Sequence, residues 1–313
     1  MADLGVQVVR VPTGYWNWIT LPNGTTPNGT DPEGYRTLQT LPHERYRKYF
    51  DQVFNYAQKY GLKILLDLHS VPGNQNGEMH SGNCQPNPNF DTDWNKQLAV
   101  QAVSSIAQYA SQKQGSLYGI QVMNEYNHYS YDIHNFMDGY YREAINAVRA
   151  HLPKNVPVIV FSWTYDFDKW GNDHFPNGQY GNVIFDTHIY HMGGGNSVEE
   201  VQNSYWNDLE MLRDFHNRQS GGVFVGEWTL AGQSLDAAQN QQLSSWLVWC
   251  MAERSLGSIY WNFDAPIAEW SLKGSHDQFN IDWRNMPKPQ LFKPKNTLSL
   301  KSYKNRGGKH RSD

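Results

Sequence analysis

Short apolar runs of strand character alternate with longer stretches in which apolar residues recur at helical spacing, all along the chain. The strand-like runs fall at 6–11, 63–68, 119–123, 156–161, 183–187, 223–226 and 258–261. Between the first two, residues 44–60 set Tyr46, Phe50, Val53, Phe54 and Ala57 on one helical face, and Gly61 follows where a left-handed cap ends a helix. Stretches 92–112, 130–150, 198–216 and 237–254 read the same way. This alternation predicts a parallel sheet with crossover helices.

Seven such strands are one short of a (β/α)8 TIM barrel, which needs eight to close. The missing strand would precede Val6, so the expected fold is an α/β, N-terminally shortened barrel lacking its first strand and helix. A fold that uses only seven strands is the other way to read the count. An open doubly wound sheet fits less well, because no glycine-rich dinucleotide turn follows any candidate strand. No repeat or linker divides the chain, so residues 1–287 are expected to form one barrel domain, with 288–313 a basic, partly disordered tail.

Charge narrows the function classes. Lys and Arg total 26 against 30 Asp and Glu, a net charge of −4, so no bulk cationic field exists to hold nucleic acid or an anionic membrane. The longest apolar runs fall far short of the roughly 18 residues that span a bilayer. Aromatics make up 14% of the 313 residues, more flat amphipathic surface than a core of this size needs, and part of it is expected to face a ligand. Cys84 and Cys250 allow one bridge or none, and neither a disulfide framework nor a CxxC metal pair. The first residues carry no signal-peptide pattern, while sequons at Asn23 and Asn28 would suit a secreted protein.

Barrel enzymes place their chemistry at the carboxyl ends of the strands. There the sequence reads Arg10 in the first run, Asp67-Leu68-His69 after the second and Asn124-Glu125 after the third. Later runs end Asp186-Thr187-His188-Ile189-Tyr190, Gly226-Glu227-Trp228 and Tyr260-Trp261-Asn262. A lone Glu after a strand is commonly a helix cap or a surface charge. Two Glu converging with Arg, two His, Asn, Tyr and Trp point instead to glycoside hydrolysis, in which one carboxyl acts as acid and the other as nucleophile or base. The histidines lack zinc-site spacing, HExxH is absent, and no GxSxG elbow supports a serine triad.

The ordered set Arg10, His69, Asn124, Glu125, His188, Tyr190, Glu227 and Trp261 resembles the active-site set of glycoside hydrolase family 5, the cellulase-like retaining β-glycosidases. The segment from Asp67 to Gly77, then Ser81-Gly82, is similar to the loop of the exo-β-1,3-glucanases within that family, as are Val9-Arg10-Val11-Pro12, Tyr15-Trp16 and Glu269-Trp270-Ser271. The resemblance implies Glu125 as general acid/base and Glu227 as nucleophile, with carboxyl groups about 5–5.5 Å apart. Arg10 and Tyr190 would stabilise charged Glu227, one by charge and one by a hydrogen bond, while Glu125 would need the opposite tuning. Asn124 would bond the sugar 2-hydroxyl, His69 and His188 would bond hydroxyls or fix neighbouring groups, and Trp261 would floor the sugar site. Trp270 is the best further subsite candidate, ahead of Trp16, Trp18, Trp163, Trp170 and Trp206, for most of which core packing is an equal reading.

The likeness further implies a β-glucan or oligosaccharide substrate, no cofactor and no metal, a monomer, and an extracellular or cell-wall location. The expected activity is that of a glucan exo-1,3-β-glucosidase in polysaccharide catabolism. A non-catalytic carbohydrate-binding relic of the fold, or a β-1,4-glucanase or mannanase, are the alternatives. Three departures from the branch stand out. Tyr126 replaces the usual Pro after the acid/base Glu, Glu78 and Met79 replace a Phe and an Asp, and Gly193 replaces an entrance Phe.

Overall fold

The computed structural model describes residues 1–21, 43–82, 88–127 and 133–289. Both sequons, Cys84 and residues 290–313 of the tail lie outside the described residues. Cys250 is a buried free thiol.

Seven strands occur among the described residues: β1 (Val8–Gly14), β2 (Lys63–Ser70), β3 (Leu117–Gln121), β4 (Val158–Phe161), β5 (Val183–His188), β6 (Val223–Trp228) and β7 (Ser258–Tyr260). They form one sheet in the order β1-β2-β3-β4-β5-β6-β7, every pair parallel. β1 and β7 approach each other without pairing, so the barrel is nearly closed. The architecture is that of a shortened (β/α)8 barrel.

Helices pack between and outside the strands: α1 (Arg47–Tyr60), α2 (Asp93–Ala110), α3 (Ile133–Arg149), α4 (Asn177–Tyr180), α5 (Val198–His216), α6 (Ala237–Arg254) and α7 (Leu272–Phe279). α1 buries Phe50, Phe54 and Ala57 and stops at Gly61, whose φ of 70° is open to glycine at little cost. Thr92, Ser197, Asp236 and Ser271 cap α2, α5, α6 and α7, each side-chain oxygen accepting an otherwise orphaned backbone N–H. No helix among the described residues is long and apolar enough to cross a membrane.

Strand periodicity builds the barrel interior in layers. The same face of β2 carries Leu65, Asp67 and His69, and that of β5 carries Ile184, Asp186 and His188. Leu65 and Ile184 join Ile159 and Phe224 in a buried apolar cluster. Above it sit Asp67 and Asp186, both fully buried, and above these the two imidazoles at the carboxyl ends. The strand order therefore places carboxylates directly beneath the groups at the rim.

Candidate active site

Arg10 organises the buried charge. Its Nε donates to Gln121 Oε1 at 2.8 Å, Nη1 to Glu227 Oε1 at 2.6 Å, and Nη2 to Asn124 Oδ1 at 2.7 Å, with Asp67 3.0 Å away. Burial disfavours the cation, but Asp67, Glu227 and Asp186 outweigh it and hold the guanidinium charged. The hydroxyl of Tyr190, just past β5, donates to Glu227 Oε2 at 2.8 Å. Burial and the Glu227 carboxylate push that hydroxyl far above its ordinary value, so it remains a donor.

Glu125 lies after β3. His188 Nδ1 is 2.6 Å from Glu125 Oε1, and His188 Nε2 is 3.2 Å from Asp186 Oδ2. Burial alone would lower the His188 imidazole, but Glu227, Asp186 and Glu125 push it up to about 10, so both ring nitrogens carry protons at neutral pH. Glu125 is itself depressed. Burial works to raise it and is overcome by His188 and by His80, whose Nε2 lies 3.3 Å from Oε2. This corrects the sequence expectation of opposite tuning, because two imidazoles face this carboxyl.

Oxygens of Glu125 and Glu227 and a nitrogen of His188 all lie within 4.8 Å of one another. Such a triad has metal-like spacing; in the structure one oxygen of Glu227 is taken by Arg10 and His188 lies between the two carboxylates and Asp186, an arrangement suited to proton transfer. An oxygen of one carboxyl within 4.8 Å of an oxygen of the other is a close approach of the kind a retaining pair needs.

His69 Nδ1 contacts Asp67 Oδ2 at 2.7 Å, its Nε2 faces Asn124 Nδ2 at 3.3 Å, and its ring stacks on Trp261 at 5.7 Å and 9°. The Arg10 guanidinium lies over the Trp261 ring, 5.9 Å from its centroid. Trp270 packs beside Tyr190 with ring centroids 6.0 Å apart. The structure thus brings Arg10, His69, Asn124, Glu125, His188, Tyr190, Glu227, Trp261 and Trp270 to one end of the barrel.

Other aromatics fall elsewhere. Trp18 and Trp170 are core residues, a correction to their candidacy as subsites. Trp18 stacks on Phe50 at 4.6 Å and donates to Thr13, and Trp170 donates to Ser162, so each buries its ring and satisfies its N–H. Trp206 sits on α5 under the Arg254 guanidinium, and Trp16 packs over Gly14 and Gly82, where a Cβ would strike its ring. Trp163 keeps a place near the site, donating to the Tyr126 carbonyl at 2.7 Å and stacking on half-exposed Tyr165. Tyr126, in place of the usual Pro, is fully buried against Phe161, so it anchors the Glu125 loop from beneath.

Sequence reasoning gave no role to Asp67, Asp186, Gln121, Asn76 or His80. A visible signal existed for the two Asp, each a charge inside an otherwise apolar strand. Gln121 bridges Arg10 and Asp186, donating to the latter at 2.8 Å.

Comparisons with known proteins agree with this geometry. The family model for cellulase, glycosyl hydrolase family 5, matches residues 1–266. A glucan 1,3-beta-glucosidase of Blumeria graminis is 28% identical over 241 residues, covering 76% of this chain and 51% of its own length. Glucan 1,3-beta-glucosidase 1 of Schizosaccharomyces pombe is 27% identical over 236 residues, covering 73% and 52%. The chain therefore spans about half the length of these curated relatives. Among solved structures, a rutinosidase from Aspergillus niger superposes with a TM-score of 0.64 at 20% identity, covering 91% of this chain and 80% of that one. A family 5 lichenase from Caldicellulosiruptor sp. F32 gives 0.62 at 16% identity, covering 90% and 79%. With a family model matched over most of its length, the chain belongs to glycosyl hydrolase family 5.

Proposed function

We propose that the chain is a retaining β-glycosidase acting on β-glucan, with the character of a glucan exo-1,3-β-glucosidase. The observation that carries this reading is the approach of Glu125 and Glu227 within 4.8 Å at the strand ends, each held by its own set of partners. The relatives named glucan 1,3-beta-glucosidase support the substrate class.

In this reading Glu125 protonates the glycosidic oxygen as the bond from C1 to that oxygen breaks. The Glu227 carboxylate attacks C1 from the other face and forms a glycosyl ester. Water then attacks C1, giving its proton to Glu125, and Glu227 leaves as carboxylate. Arg10 and Tyr190 orient Glu227 and stabilise the negative charge it regains, while Asn124 and His69 address hydroxyls of the bound sugar. Trp261 offers that sugar a flat face, and Trp270 extends the surface outward. Residues 1–287 would make up the catalytic domain, with every group of the site drawn from one chain and no cofactor in the chemistry. A secreted or wall-associated location follows from the substrate, an extracellular polymer.

Early-time product analysis on laminarin tests the reading, with Glu227→Gln in parallel and a thermal melt on both. Glucose released as the sole early product by the parent alone supports it. Mixed oligomers would show endo cleavage, and sugar binding without hydrolysis by a folded parent would show a non-catalytic binding protein.

A further inference from the structure

His80 lies on the 3₁₀ turn Met79–Ser81 that follows β2. Its Nε2 is 3.3 Å from Glu125 Oε2 and 3.0 Å from Asn76 Nδ2, and its ring meets that of His69 edge-on at 5.8 Å. The Asn76 amide has a fixed orientation. Its Oδ1 accepts from the Glu78 backbone N–H at 3.0 Å and from the Ser81 hydroxyl at 2.7 Å, so Nδ2 is the end turned toward His80 and toward the Glu125 carbonyl at 3.2 Å.

Donor counting then limits where protons sit. When His80 Nε2 bears no proton, its one lone pair accepts from Asn76 Nδ2 or from a protonated Glu125 Oε2. When Nε2 bears the proton, it donates to the Glu125 carboxylate, as an ion pair once Nδ1 is protonated too, and Asn76 keeps its bond to the Glu125 carbonyl. Whenever a hydrogen bond joins Oε2 to Nε2, a single proton lies between them. The two imidazoles on Glu125 differ in access: the His188 side chain is 0% exposed and that of His80 is 44% exposed.

We propose that His80 is a positioning residue for proton transfer, sharing one proton with Glu125 Oε2 and linking that carboxyl to bulk water. The assignment rests on the reading of Glu125 as acid/base. Its consequence is that Glu125, ionised in the resting site, receives the proton it needs for the leaving group from an adjacent imidazole and returns one in the hydrolytic half-reaction. The groups that face His80 favour its charged form: Glu125 after β3, Glu227 on β6 and Glu78 on its own loop, with His69 of β2 against its ring. The Glu125 hydrogen bond raises the His80 imidazole from its ordinary value against the opposing effect of burial.

The test uses His80→Gln, which keeps an N–H able to reach Glu125 but does not titrate. On methyl β-glucoside, whose leaving group needs a proton, the basic limb of kcat/KM, set in the parent by loss of the proton that the pair shares, is expected to move down by about one pH unit in the variant, where Glu125 titrates without the imidazole. On 2,4-dinitrophenyl β-glucoside, whose leaving group departs as an anion, kcat/KM is expected to stay at the parent value. Equal losses on both substrates with an unmoved limb would overturn the proposal. A second readout needs no turnover: NMR titration of the His80 ring in the parent and in Glu125→Gln. Its midpoint is expected to fall by about one pH unit in the variant, since the paired carboxylate is gone. An unchanged midpoint would overturn the pairing, whereas a folded parent inactive on both glucosides would defeat the glycosidase reading instead.

Discussion

The guanidinium of Arg10 on β1 lies 2.6 Å from the carboxylate of Glu227 on β6, so one buried ion pair joins the first strand of the sheet to the sixth across the barrel interior. Removing the cation leaves Glu227 and Asp67 buried and uncompensated. Arg10→Met is expected to lower unfolding stability by about 3–5 kcal/mol, with Arg10→Lys intermediate because a point charge cannot serve Gln121, Glu227 and Asn124 together. Urea denaturation of the three proteins checks the order.

Gly226, beside Glu227, has no space for a side chain. A Cβ there would stand 2.1 Å from Asp186 Oδ1, inside the contact distance of any pair of atoms. Gly226→Ala is expected to cost about 1–3 kcal/mol and to reduce turnover as well, because the displaced Asp186 supports both His188 and Gln121. A thermal melt paired with a glucoside assay measures both effects.

The pH dependence of stability should carry the signature of His188. Its imidazole is raised to about 10 in the folded protein, by Glu227, Asp186 and Glu125 acting against burial. A raised folded-state value means that its stabilisation is complete below about 6.5 and is lost as pH climbs through about 10. Each pH unit between those two values corresponds to about 1.4 kcal/mol, so the parent is expected to lose a few kcal/mol more than His188→Gln across that window. Denaturation midpoints of both proteins at intervals across the window give the difference. Equal slopes would show that His188 is not held as a cation.

Glu125→Ala separates acid from base duties. For a substrate with a poor leaving group, kcat/KM is expected to fall by about 10²–10⁴. Added azide, a nucleophile that needs no deprotonation, should restore turnover of an activated aryl glucoside and yield β-glucosyl azide. Recovery of the α-azide would contradict a retaining route.

The strand and helix alternation was readable because burial on a parallel sheet imposes apolar runs, and helices imposed their own period between them. α5 and α6 agree end for end with their sequence ranges. β1 runs to Gly14, past the expected end at Val11, because it is an edge strand in which Pro12 needs no N–H for a second neighbour. α4 and α7 escaped notice, being short and polar; Ser271 caps α7, and α4 is tied to Ser220 through Asn177. The residues of the rim were legible as functional types at strand ends. Their wiring was not, since the contact of His80 with Glu125 joins two loops distant in sequence and leaves no periodic trace.

Trapping of the covalent intermediate is the most direct test of a retaining site with Glu227 as nucleophile. The folded parent is incubated with 2-deoxy-2-fluoro-β-glucosyl fluoride, whose fluorine slows hydrolysis of the ester more than its formation, and intact and peptide masses are recorded. A Glu227 nucleophile predicts one fluoroglucosyl group per chain, on the peptide that contains Glu227, and none on Glu227→Gln. A label on another residue, or turnover of glucoside with no trapped adduct, would contradict it.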